Sequence, residues 1–219
     1  ERKFDYYLPR ARNKDRVEKI YDAASESIDR AGSKIEALEA SREAVQAMSR
    51  LELGPGQPLK IGVVGEIYTM LEPAANYDIF RLLGRMGAEV GRSTYLTEWI
   101  NDHLMGGLVK KSTHKNLVAC AKPYLNYEVG GHGLETVGNT VNYARQKYDG
   151  IIQIGPLTCM PEIVAQSILP RISEDEGVPC MTLWFDELSG TAGLNTRLEA
   201  FVDMLHRQKI RQTKKIKEA

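Results

Sequence analysis

Thr158-Cys159-Met160-Pro161-Glu162 is the stretch of this sequence best placed to do chemistry. It follows Gly155-Pro156-Leu157 at the end of an apolar run, and Pro161 suits the first turn of a helix, so Cys159 is expected at a strand-to-helix junction. A sulfur at a helix N-terminus gains from the dipole, which favours thiolate over thiol. A thiolate there serves as a nucleophile or as a metal ligand. The same position also suits a small buried hydrophobe, and the residue types leave both readings open.

Other strand ends add candidates. Leu59–Gly65 is a β-rich run closed by glycine, followed by Glu66, Ile67, Tyr68 and, further on, Asn76. Glu66 and Tyr68 are the candidates for catalysis; a carboxylate at such a point acts as general base or hydrogen-bond acceptor, or equally caps a turn. Val178–Phe185 is followed by Asp186 and Glu187, an acidic pair more often found in a helix-capping loop than in an acid/base dyad. Thr158, Asn76, Asp186 and Glu187, with Cys159, are the residues expected to line a bound group.

Cys120 falls inside a helical pattern, and Cys180 lies about 16 Å of strand away from the ligand edge. Both read as core cysteines. Three cysteines so arranged cannot close an iron–sulfur or zinc site, which needs three or four convergent ligands. Metal at Cys159 therefore requires partners on other sequence or another chain. Gly130-Gly131-His132-Gly133 lacks the lysine and spacing of a Walker phosphate loop and reads as a hinge with His132 at the surface. His103, His114 and His206 have no ligand spacing between them, and Tyr143, Tyr148, Trp99 and Trp184 read as core or edge residues.

The elements that must position these side chains follow from periodicity. Residues 13–51 carry apolar residues at helical spacing (Val17, Ile20, Tyr21, Ala24, Ile28, then Ile35, Leu38, Ala44, Val45, Met48), which predicts two helices or one kinked helix. Gly54-Pro55-Gly56-Gln57-Pro58 breaks the chain, giving an N-terminal helical segment, 1–56, and an α/β domain, 57–208. In the latter, strands are expected at Leu59–Gly65, Glu89–Leu96, Asp149–Ile154 and Val178–Phe185. Helices are expected at Asn76–Met86, in short material through Met105, at Thr113–Leu125, Leu134–Lys147, Pro161–Ile172 with a bend at Pro170, and Leu194–Gln208. Strands apolar on both faces alternating with helices imply an open parallel sheet covered on each side. Right-handed crossovers favour the strand order 2-1-3-4, with the ligand crevice at the carboxyl edge between the first and third strands.

Composition narrows the function classes. The 219 residues are 42% hydrophobic and 26% charged, an ordinary globular balance. Lysine plus arginine and aspartate plus glutamate both total 29, so no net field argues for nucleic acid or a membrane surface. The basic tail, 209–219 (Lys209, Arg211, Lys214, Lys215, Lys217), reads as a frayed, solvated terminus. The absence of a transmembrane stretch or signal peptide, the polar start at Glu1 and an odd number of cysteines lead us to expect a reduced, cytoplasmic piece of a longer polypeptide.

Three segments resemble the 2-hydroxyacyl-CoA dehydratase superfamily. They are Gly65-Glu66-Ile67-Tyr68 with Pro73 and Asn76, Asp149 through Pro161, and Phe185-Asp186-Glu187-Leu188-Ser189-Gly190 on through Phe201. The nearest likeness is to the dehydratase-like regions of large CoA-substrate-specific enzyme activases and the related double-cubane-cluster proteins, over about Leu59 to Leu205. The resemblance implies a Rossmann-like domain in which Cys159 contributes one ligand to a four-iron four-sulfur cluster, the other cysteines coming from outside this chain. It also implies an ATP-hydrolysing activase as electron donor and an acyl-CoA or other small molecule as substrate. The isolated chain is expected to be inactive and metal-free. Two alternatives accompany this reading: an interaction domain that docks an activase or partner subunit without a cluster, and a metal-independent enzyme using Cys159 as nucleophile.

Overall fold

The computed structural model describes residues 1–95 and 114–218, with side chains through 213. The expected helical material through Met105, the strand end at Leu96, the helix start at Thr113, and His103 and Trp99 lie outside the described residues.

Two compact units make up the chain: residues 1–58 with 80–90, and residues 59–79 with 91–219. The first is helical. Helices α1 (Arg2–Tyr7), α2 (Lys14–Asp29) and α3 (Lys34–Ser49) enclose a core of Phe4, Leu8, Ala11, Val17 and Met48. Asn13 caps α2 by accepting from the Arg16 N–H at 3.0 Å. Ser33 caps α3, and Glu36 reaches back to the Gly32 N–H at 2.9 Å, a reciprocal capping arrangement. Most of helix α6 (Ile79–Arg85) belongs to this unit. The expectation of a contiguous boundary near Pro58 missed this insertion, because residues 80–90 join the N-terminal helices through side chains rather than through sequence proximity. A β-carbon on Gly84 would stand 2.5 Å from the Leu8 side chain, so glycine lets α6 approach closely.

The second unit carries the α/β layers, apart from residues 88–90, which fall in the first. Strands β1 (Leu59–Gly65), β2 (Ala88–Arg92), β3 (Gly150–Pro156) and β4 (Cys180–Phe185) form one parallel sheet in the order β2-β1-β3-β4. This is the expected α/β architecture and strand order. Val63 pairs with Ile152, and Gln153 with Thr182. Ile61, Val63, Val64, Ile151, Ile152 and Ile154 are fully buried, as strands covered on both faces require. Helices α7 (His114–Ala121), α8 (Gly133–Arg145), α9 (Met160–Glu176) and α10 (Thr191–Glu218) supply the cover. A β-carbon on Gly62 would meet Tyr143 of α8, whereas one on Gly150 would meet Phe201 and Leu205 of α10. Gly150 pairs with Ile61 and Gly62 with Ile151, so the two glycines face opposite ways, and α8 and α10 lie on opposite faces.

Several boundaries differ from expectation. The helix read as Asn76–Met86 resolves into α4 (Ile67–Leu71), α5 (Pro73–Asn76) and α6, divided where Tyr77 and Asp78 take left-handed backbone angles. Helix α9 continues through Pro170 to Glu176 and ends at Gly177, itself left-handed. The tail read as frayed is helical, since α10 runs on to Glu218. No helix among the described residues is long and apolar enough to cross a membrane.

Candidate functional site

The carboxyl edge of the sheet gathers the ends of β1, β3 and β4 within the second unit. Gly65 ends β1 at φ 143°, an angle that favours glycine, and a β-carbon there would fall 1.8 Å from the Ile154 carbonyl oxygen of β3. That close contact brings Glu66 beside the end of β3, where its N–H donates to the Ile154 oxygen at 3.1 Å.

Cys159 is the N-cap residue of α9 and is partly exposed. Its backbone N–H donates to the Pro156 oxygen at 3.1 Å, and its own oxygen accepts from Ile163 at 3.0 Å. The expected drift toward thiolate is not what its surroundings favour. Desolvation raises the thiol pKa above its ordinary value; the Glu162 backbone N–H opposes this, and the negative charges of Glu162 and Glu66 add to it. The helix dipole favours the thiolate, but packing and two nearby carboxyls decide the sign.

Glu66 accepts hydrogen bonds from the Tyr68 N–H at 3.0 Å, the Thr69 N–H at 2.9 Å and the Thr69 hydroxyl at 3.0 Å. It is the N-cap of α4, which commits its carboxylate to the turn while leaving its charge close to Cys159. Asn76 is fully buried, its amide donating to the Thr69 oxygen at 2.7 Å and accepting from the Ile79 N–H at 3.3 Å, so it shapes the loop after β1. Asp186 accepts from the Leu188 N–H at 3.0 Å and the Ser189 hydroxyl at 2.8 Å, which closes the loop after β4 on itself. The Tyr77 hydroxyl donates to the Ser189 oxygen at 2.5 Å and ties the loops after β1 and β4 together. Thr158 and Glu187 are exposed.

Exposed apolar side chains follow these strand ends. Tyr68 after β1 is 64% exposed, Leu157 and Met160 on either side of Cys159 are 53% and 69%, and Leu188 after β4 is 92%. Scattered exposed hydrophobes are ordinary, but four contributed by three neighbouring strand ends form a common rim.

Glu162, in the first turn of α9, is a residue that periodicity and motif spacing do not single out. It is fully buried. The Thr136 hydroxyl of α8 donates to its Oε1 at 2.9 Å, and Gln153 Nε2 of β3 donates to its Oε2 at 2.8 Å and to its backbone oxygen at 2.9 Å. The Thr182 hydroxyl of β4 completes the chain by donating to Gln153 Oε1 at 3.0 Å. Desolvation lifts the Glu162 pKa to about 7 against the pull of these donors. Gln153, an amide inside the run Ile151-Ile152-Gln153-Ile154, was the legible signal, since a polar group in a buried strand must find partners.

The glycine run read as a hinge lies against the same turn. A β-carbon on Gly133 would stand 2.5 Å from the Pro161 oxygen, and one on Gly131 3.0 Å from the Pro161 ring. These glycines allow α8 to approach the first turn of α9. Cys120 and Cys180 pack beside the helical core, and burial lifts the Cys180 thiol to about 12. Among the described residues no group of three His, Cys, Asp or Glu side chains is arranged to hold a metal ion. Comparison with protein-family models, curated proteins and solved structures finds no match to the chain.

Proposed function

We propose that this domain contributes Cys159 as one ligand of a four-iron four-sulfur cluster in a protein like the 2-hydroxyacyl-CoA dehydratases and their activases, the other cysteine ligands coming from outside the chain. The observation that carries the reading is the setting of Cys159: a partly exposed sulfur at the carboxyl edge of a parallel sheet, beside the exposed apolar side chains of Tyr68, Leu157, Met160 and Leu188. The donor set fits one ligand and no more, because neither Cys120 nor Cys180 shares that edge. A thiol held protonated is compatible with ligation, since metal displaces the proton and affinity rises with pH.

A cluster of this kind, when bound, supplies one-electron reduction at low potential. This chain's own part is to bind through Cys159, to keep water away with the apolar rim once a second module covers it, and to set the local charge through Glu66. An ATP-hydrolysing activase and an acyl-CoA or similar small substrate are the partners that belong to this reading. A cytoplasmic setting belongs to it as well. The nucleophile reading is weaker, because the surroundings of Cys159 disfavour the thiolate that attack requires.

The apolar rim also suits a docking domain that holds no cluster, and one experiment separates the two. The full polypeptide or complex bearing this chain is purified without oxygen, with and without Cys159→Ala, and its iron measured. The cluster reading expects brown protein that loses most of its iron on substitution. Undiminished iron in the variant sinks it, and a colourless parent that still binds the activase establishes the docking reading.

A further inference from the structure

An amide and a carboxyl, both fully excluded from solvent, are costly to bury unless every polar atom is matched. Here they are matched, and by groups from four different elements. Thr182 of β4 donates to Gln153 of β3, Gln153 donates twice to Glu162 of α9, and Thr136 of α8 donates to Glu162 from the other side. The Gln153 contact to the Glu162 backbone oxygen fixes main chain, not only side chain, in the first turn of α9. Cys159 is the N-cap residue of the same turn, its backbone oxygen accepting from the Ile163 N–H at 3.0 Å, so the main chain that carries Glu162 also carries the sulfur. Apolar residues of like volume would hold the layers together equally well; what a satisfied polar network adds is a single fixed arrangement.

We propose that Gln153 and Glu162 form a positioning clamp that fixes the first turn of α9 and thereby the direction in which the Cys159 sulfur points. The inference rests on Cys159 being the working residue of the carboxyl edge, and it assigns Gln153 and Glu162 a positioning role rather than a catalytic one. The network runs from β4 to α8 across the sheet, so the turn is held from both neighbouring layers. Gly133 leaves room for the turn, since a β-carbon there would stand 2.5 Å from the Pro161 backbone oxygen.

The test needs no cluster. Gln153→Met removes the three hydrogen bonds of the amide at nearly constant volume. The full chain is treated with iodoacetamide at fixed pH, and alkylation of each cysteine is followed by peptide mass spectrometry. Cys159 is expected to react about tenfold faster in the variant, while Cys120 and Cys180 keep their wild-type rates. Glu162→Gln, which retains two polar atoms for Thr136 and Gln153, is expected to stay near the wild-type rate. In cluster-loaded protein Gln153→Met is further expected to weaken iron retention against a chelator, by about the 10- to 100-fold in affinity that loss of outer-shell support costs. If Gln153→Met does not fold, Thr136→Val removes one donor and is scored the same way. An unchanged Cys159 rate overturns the clamp, and so does a parallel rise at all three cysteines, which marks general loosening. Iron retention by Cys159→Ala would sink the cluster assignment alone and leave the alkylation result standing.

Discussion

Glu162 joins a buried acid to pH-dependent stability, and the sign follows from its environment. Its pKa is lifted from 4.5 to about 7 in the folded protein, so between those values the native state holds a proton that the unfolded state has released. Stability from this group is therefore greatest at and below pH 4.5 and is lost as pH rises through 7. The shift corresponds to about 3 kcal/mol. Urea unfolding of wild type and Glu162→Gln across pH 4.5 to 8 is expected to give a difference, wild type minus variant, that is highest at the acid end and declines toward pH 8. A flat difference would show that the buried carboxyl does not titrate in this window. Cys159 teaches the complementary lesson. Its place at a strand-to-helix junction was legible from Gly155, Pro156 and Pro161, but its protonation depends on desolvation and on Glu66 and Glu162, which approach through folding alone.

At the level of elements, β1 and β3 were readable because strands buried on both faces must be apolar throughout, and the turn residues mark their ends. Helices α4 and α5 were not, since each is a short piece held by a glutamate: Glu66 caps one and Glu72 the other, a side-chain device that leaves no apolar period. The reach of α6 into the helical unit was equally hidden, because it depends on ion pairs across distant sequence. Arg85 grips Glu18 through two contacts at 2.7 and 2.6 Å and Asp15 at 2.7 Å, and Glu18 is largely buried. Arg85→Ala strands that carboxylate and is expected to destabilise the helical unit by about 2 kcal/mol in chemical denaturation. Arg85→Lys keeps the charge but not the two-pronged geometry, so its loss should fall between the two. Equal stability of wild type and Arg85→Ala would mean that the pairs contribute nothing net.

The division of the whole chain carries a consequence for how it can be cut. A break at Pro58 looks natural in the sequence, where glycine and proline cluster, yet residues 80–90 belong with residues 1–58. Arg81 pairs with Asp22 at 2.7 Å, Gly84 lies against Leu8, and Arg85 holds Glu18. A polypeptide of residues 59–219 would keep α6 while losing these partners, and the α6 face that met Leu8 would turn to water. Such a truncation is expected to bind a hydrophobic dye more strongly than the full chain and to aggregate more readily. Supplying residues 1–58 as a separate polypeptide during refolding should suppress both effects, as fragments of one cooperative unit do. A truncated chain that stays monomeric, binds no dye and unfolds as sharply as the full chain would show that the α/β layers need nothing from the N-terminal helices. In that outcome, residues 80–90 would be passengers of the sheet and not part of the helical core.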